Sequence, residues 1–381
     1  MFSVLIISGN LSRPGGAGYV DAYVLKAFYD LGFKPLLVLF GKRIHEQHYS
    51  KIMGIKFELF KINTRINDIL PPINIHKHYL CKIIEKYKPD IIWTNSLYKD
   101  LIDLAYKHNI KIIVYYHMII PWYLQIRGYY RKYSWSDLSM MALALKLANI
   151  KMSTYDLTPV NYADIVIVNS TYMKYLSKIY WNFEPYVLPP PIETHKYTTR
   201  HYNERSKTII CLGRISPEKR FEDVIKAVGS IDHELEVWIL GIFHSNKISY
   251  VNRLVQLANK LKVRMKLFPN ISERHKIHLL SKGLIYVHCA RAEHFGISIL
   301  EAMASAIPVV VHKSGEPYYG IIGRGQYGMY YENINQLSLS IKLLLNRNKW
   351  NHYSIKSIQR AKEYDYNVFR NKLKNIIEQL M

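Results

Sequence analysis

Short apolar runs rich in Ile, Val, Leu, Phe and Tyr alternate with longer amphipathic stretches from the first residues of this 381-residue chain, and the alternation restarts near Thr208. That rhythm builds parallel sheets, because a parallel strand can be reached only by a crossover long enough to hold a helix. It predicts strands over residues 3–8, 35–40, 57–62, 91–95, 111–117 and 164–169, then over 208–212, 236–240, 265–268, 284–288 and 308–311. Between the two series lies YVLPPPIETHKY, where Pro189, Pro190 and Pro191 rule out helix and favour a stiff extended segment. The chain is thus expected to hold two α/β domains, residues 1–188 and 207–352, with a linker over 189–206 and a helix over 353–381.

Composition narrows the function classes. A hydrophobic fraction of 49% against 21% charged residues excludes a disordered chain. Cys81, Cys211 and Cys289 lie too far apart for a disulfide framework or a zinc cluster, which suits a reducing interior. The start, MFSVLIISGN, has no basic leader and no small-residue cleavage site, so no export signal is expected and a cytoplasmic location is. The most apolar window, IIVYYHMIIPWYLQI, is shorter than the ~20 residues of a spanning helix and contains His117 and Pro121. A net charge of +23 points to an anionic partner: phosphates, nucleic acid or acidic lipid.

The residues with chemistry cluster at predicted strand ends. In LIYVHCARAEHFGISILEAMASAIPVVVHKSGEP, Glu293 sits in a loop and Glu301 follows after seven residues, about two turns into a helix starting near Phe295. The amides of His294, Phe295, Gly296 and Ile297 would stand at that helix's N-terminus, where unpaired donors and the dipole favour an anion. The plainer alternative is that Glu293 only complements the dipole and Glu301 is a solvated helix residue. In IICLGRISPEKRF a strand ends at Gly213, and Arg214 and Lys219 flank the next turn, placed to hold a diphosphate in the crevice of an α/β sheet. Taken singly, each is an ordinary surface charge.

Two features of the first half are weaker. SGNLSRPGGAGYV, with Gly15 and Gly16, is a Gly-rich turn that lacks both the dinucleotide spacing and the Lys and Ser/Thr of a phosphate-binding loop. His117 ends a predicted strand and is followed by Pro121, Trp122 and Tyr123, an aromatic segment suited to lining a site.

These segments together resemble the retaining, nucleotide-sugar glycosyltransferases of the GT-B fold: GGAG, GRISPEK, EHFGISILEAMASAIPVV and SGEP follow in the family's order. The EHFGI wording and the PPP hinge resemble most the mannosyltransferases that extend lipid-linked oligosaccharides from GDP-mannose. The resemblance implies two Rossmann-like domains facing each other across a cleft, with a C-terminal helix crossing back to the first. It implies a nucleoside-diphosphate sugar as co-substrate, no metal or other cofactor, and a glycan or lipid-linked acceptor. Arg214 and Lys219 would neutralise the diphosphate, Glu301 would bind the ribose and Glu293 the transferred sugar. Asn270 and Ile271 would border the base, and His117 with Trp122 would lie on the acceptor side.

The chain departs from the family at Ala306, where Gly is usual and Ala suits a helix C-cap only if its backbone avoids the left-handed region. It departs again at Glu316, an added carboxylate expected near the diphosphate, where it would alter donor choice. The charge, the aromatic loop over 121–133 and the apolar run over 140–150 suit attachment to an anionic membrane surface, unless that run is simply a core helix face. Sugar transfer to nucleic acid ranks lower, since no nucleic-acid module is recognisable. A non-catalytic protein of the same shape is disfavoured by four intact charged residues.

Overall fold

A computed structural model of the chain describes residues 2–62, 77–95, 97, 99–117, 161–231 and 234–380. Trp122, the aromatic loop and the apolar run over 140–150 lie outside the described residues. Packing divides the chain into two units: residues 1–169, 173–188 and 370–381 form the first, and residues 170–172 and 189–369 the second.

The first unit holds β1 (Ser3–Ser8), β2 (Lys34–Phe40), β3 (Glu58–Ile62), β4 (Ile91–Thr94), β5 (Lys111–Tyr116), β6 (Ile165–Val168) and β7 (Tyr186–Val187) in the order β3-β2-β1-β4-β5-β6-β7. The second holds β8 (Thr208–Leu212), β9 (Glu236–Gly241), β10 (Arg264–Pro269), β11 (Ile285–His288), β12 (Val309–His312) and β13 (Met329–Tyr331) in the order β10-β9-β8-β11-β12-β13. All described pairings are parallel, and both units are Rossmann-like, as in the GT-B fold. Each sheet reverses its winding once, between β1 and β4 and between β8 and β11, and such a switch point opens a crevice beyond the strand ends.

The second sheet is covered on both faces, which is why its strands read as unbroken apolar runs. Ile209, Cys211, Ile285, Val287 and Val310 join one core cluster. Ile210, Leu212, Tyr286, Val309 and Val311 alternate into the other. The triple-proline segment is no loose tether: Ile192 is fully buried and exchanges backbone bonds with Tyr364 (2.8 Å) and Tyr366 (2.9 Å). Those bonds, with Asp365 accepting from the Thr194 hydroxyl at 2.6 Å, make a corner in what the sequence read as one terminal helix. Two helices result, Arg347–Lys362 in the second unit and Tyr366–Ile377, most of which lies in the first.

Arg205 locks the lower end of the second unit. Its buried guanidinium donates to the carbonyls of Arg200 (2.9 Å), Gly283 (2.8 Å) and Ser305 (2.7 Å), and more loosely to Ser281 and Ala306 at 3.4 Å. It also lies 5.0 Å above the Trp350 ring. Burial, followed by nearby Arg200, lowers its pKa to about 10, so it remains charged at neutral pH. Arg205→Met leaves these carbonyls without their donor and should destabilise the unit by about 3 kcal/mol or more. The thermal midpoint should then fall on the order of 10 °C; a fall within about 2 °C would remove Arg205 from this role.

Candidate functional site

The second unit gathers its charged residues where β8 and β11 end side by side at the switch point. After β8 the chain turns tightly: Gly213 donates to Leu240 O, and a Cβ on Gly241, whose φ is +149°, would lie 1.8 Å from Gly213 O. Glycine is required there by close approach. A short 3-10 turn, Pro217–Lys219, follows and is anchored behind by Arg220, which pairs with buried Asp223 at 3.1 Å. The turn lays the Lys219 stem along Gly213, 3.5 Å from where a Cβ would stand, and brings its ammonium onto Glu293 Oε2.

Glu293 is partly buried and shares that same oxygen with a second group, His288 Nε2, at 3.5 Å. Burial works to raise its pKa, but Lys219 and then His288 hold it well below the carboxylate range. Arg214 is the more solvent-facing cation, 59% exposed and 3.8 Å from Glu218. The pairing therefore makes Lys219, and not Arg214, the organised cation of the turn.

The helix expected near Phe295 begins at Ile297 and runs to Ala304. Gly296 caps it with φ +109°, a conformation that favours glycine, and a Cβ there would strike Ile299 Cδ1 at 2.8 Å. No side chain caps this end, and of its first amides Ile299 N bonds Gly296 O at 3.0 Å. The Phe295 ring is buried in the core against Tyr364, leaving only its backbone for a ligand, while the His294 carbonyl accepts from Ser170 at 2.7 Å.

Glu301 is not a solvated helix residue. It is 4% exposed and accepts from Tyr197 OH at 3.0 Å and Lys276 at 2.5 Å. Burial works to lower the Lys276 pKa, but Glu301 and Glu273 hold it raised. Asn270 spends its side chain on the loop after β9, accepting from Phe243 N at 2.9 Å, and Ile271 packs against the core.

Two departures from the family behave differently from their sequence reading. Ala306 does adopt the left-handed region, with φ +60°. The helix ends by Ala306 N bonding Met303 O and Ile307 N bonding Ala302 O, a closure that imposes this conformation at a cost on the order of 1 kcal/mol. Glu316 is buried and turned inward, accepting from Thr171 Oγ1 (3.0 Å) and Tyr172 N (2.8 Å) of the Ser170–Tyr172 segment that packs with this unit. It is occupied with structure and does not present a free charge to a diphosphate.

The first unit has its own polar cluster at its switch point. Asp21, fully buried on the helix Gly16–Asp30, accepts from Ser8 Oγ at 2.5 Å and Asn95 Nδ2 at 2.8 Å, residues at the ends of β1 and β4. His117 Nε2 lies 3.6 Å from its other oxygen. Burial alone would raise the Asp21 pKa, and nearby His117 with the bonds from Ser8 and Asn95 reverses this and lowers it. In the Gly-rich turn, Gly15 caps the helix and its carbonyl accepts from His48 Nε2 at 3.1 Å, while Gly16 is the first helical residue. The glycine that sterics demand is Gly18, where a Cβ would stand 2.4 Å from Asn10 O and 2.5 Å from His48 Cε1. Sequence reading missed Asp21, Asn95, His288, Tyr197 and Lys276.

A family model described as "Glycosyl transferases group 1" matches residues 198–364. Over those residues the chain is similar to the glycosyl transferases group 1 family. A mouse GDP-Man:Man(3)GlcNAc(2)-PP-Dol alpha-1,2-mannosyltransferase is 27% identical to this chain over 177 residues, 42% of the chain and 36% of that relative. A probable sucrose-phosphate synthase of Thermosipho melanesiensis is 27% identical over 168 residues, 41% of the chain and 39% of that relative. The chain thus spans well under half the length of both relatives. Its fold is shared by a glycosyltransferase from Rickettsia africae ESF-5, with TM-score 0.75 at 16% identity over 99% of this chain and 98% of that one. It is shared equally by Anabaena HepE, solved with UDP and glucose, with TM-score 0.73 at 18% identity over both chains in full.

Burial raises the Glu316 pKa from 4.5 to about 7, against the lowering effect of the Tyr172 and Thr171 bonds. A carboxyl raised on folding favours the fold while protonated, so this stability is fully present below the unfolded value and is lost as pH rises through about 7. Glu316→Gln keeps an acceptor for Tyr172 without the charge. Urea melts should find it more stable than wild type by about 1–3 kcal/mol at about pH 8, with the difference vanishing near about pH 5. An equal difference at both values would contradict the assignment.

Proposed function

We propose that the second unit binds a nucleoside-diphosphate sugar at the β8–β11 switch point and transfers its hexose with retention of configuration, without a metal. The observation that carries this reading is the meeting of Lys219 with Glu293 beside the uncapped N-terminus of the helix Ile297–Ala304. A cation and helix-terminal amides at one place stabilise the negative charge that develops on a departing diphosphate. That is the work a divalent cation does in other glycosyl transfers.

In this reading Arg214 and Lys219 hold the diphosphate, Glu293 faces the sugar, and Glu301 on its Lys276–Tyr197 support receives the ribose. A buried carboxylate on a ribose does not act as one of a pair flanking a scissile bond, so Glu293 and Glu301 are not a glycosidase acid and nucleophile. The donor is taken as GDP-mannose before UDP-sugars, because the similar mouse protein carries GDP-Man in its name. That name also supports a lipid-linked or glycan acceptor, with His117 as the acceptor-side candidate of the first unit. A charge of +23 suits work at an anionic membrane surface, and no helix among the described residues is long and apolar enough to cross a membrane.

Thermal unfolding against GDP-mannose, UDP-glucose, UDP-GlcNAc and the free nucleotides tests the site, since a ligand that binds only the folded state raises the midpoint. One nucleotide sugar should stabilise wild type, undiminished by EDTA, and should leave the Arg214→Ala, Lys219→Ala double variant unmoved. Stabilisation by none at millimolar concentration would contradict the proposal.

A further inference from the structure

His288 has no part in the donor contacts proposed above, yet it is buried beside them. It ends β11, is 4% exposed, and its Nε2 lacks a hydrogen-bond partner among the described residues. That nitrogen lies 3.5 Å from Glu293 Oε2, long for a hydrogen bond, and the same oxygen carries the Lys219 ammonium. On its other side Nδ1 lies 3.5 Å from Tyr286 OH, which in turn donates to Ser298 Oγ at 2.9 Å on the helix Ile297–Ala304. The ring thus sits beside one carboxylate oxygen that it shares with a cation.

We propose that His288 takes up a proton from solvent when a nucleoside diphosphate binds at Lys219. The inference rests on the diphosphate reading of that cation. While the chain is empty, Lys219 balances Glu293 and the ring stays neutral. A diphosphate brings at least two negative charges to Lys219, and these cancel its field at the ring even if the ammonium does not move. Glu293 is then a partly buried carboxylate without an effective counter-charge, and the group in place to supply one is His288. The ring gains a proton at Nε2, becomes an imidazolium, and closes a charge-assisted hydrogen bond to Oε2. No bond to carbon or phosphorus changes, and the net charge of the pair passes from −1 to 0.

The surroundings permit this. The charged groups acting on the ring are Glu293, which raises its pKa, and Lys219, which lowers it, both beneath the larger lowering by burial. On its own strand it faces the neutral Tyr286, and across β12 its register partner is Val311. His294 flanks Glu293, and its pKa is lowered by burial first, with Glu293 opposing and Lys219 adding to the lowering. His288 is accordingly a positioning residue. It keeps the carboxylate fixed and compensated after the cation has been given to the donor.

Calorimetric titration of GDP and of UDP, near about pH 6.5 where imidazole responds, in buffers of different ionisation enthalpy counts protons taken up per nucleotide. Wild type should take up about half a proton or more beyond His288→Gln, since the nucleotide's own titration is common to both. In wild type the His288 ring signal should also shift downfield on nucleotide addition, which keeps the test open if the variant does not fold. Binding with equal proton counts, or with an unmoved ring signal, overturns the proton linkage and leaves the diphosphate site standing. No binding heat in any buffer overturns the site reading itself, and the proton linkage with it.

Discussion

The ion pair between Lys219 and Glu293 ties together two loops that are 74 positions apart in sequence and adjacent only because the second sheet reverses its winding between β8 and β11. Neither loop is fixed by regular structure of its own. One is a 3-10 turn held behind by Arg220 and Asp223, and the other is the run from Cys289 to the Gly296 cap. Joining them places a cation and a carboxylate beside a helix end that no side chain caps. The pair is half-sheltered, so its attraction is stronger than that of an exposed salt bridge, and opening it leaves a carboxylate that still needs compensation. That need makes the buried imidazole beside it meaningful.

The two units solve the same geometrical problem with different chemistry. Each reverses its sheet once and sets polar groups at the reversal. In the first unit the centre is a buried carboxylate, Asp21, that accepts from Ser8 and Asn95, with His117 nearby, and is fixed on the helix that follows β1. In the second the centre is the half-sheltered pair of Lys219 and Glu293.

Much of this was legible in the sequence. Residues 208–212 were read as a strand and form one with the same bounds, because an apolar run between a charged segment and Gly213 has few other uses. Arg214, Lys219, Glu293 and Glu301 were singled out from spacing at strand ends, and the structure brings Lys219 and Glu293 into contact. What stayed hidden depends on tertiary pairing. Tyr186–Val187 and Met329–Tyr331 are strands of two and three residues, too short for any periodicity to show. His288 and Cys289 look alike as residues closing a buried strand, and only the loop that folds back gives His288 a carboxylate. Lys276 pairs with Glu273 three residues before it, and nothing local announced its bond to Glu301. Ala306 was judged on its own preference, but the closing turn of the helix outweighed it.

The central claim is that Lys219 and Glu293 act as one unit on a bound nucleotide sugar. A double-mutant cycle on turnover tests it: kcat/KM for the stabilising donor is measured for Lys219→Met, Glu293→Gln and the two combined. The account predicts a loss on the order of 100-fold for each single change, with the combination no worse than the more damaging single, as for groups that work together. Losses that multiply in the combined variant, or single variants within about 3-fold of wild type, would contradict it.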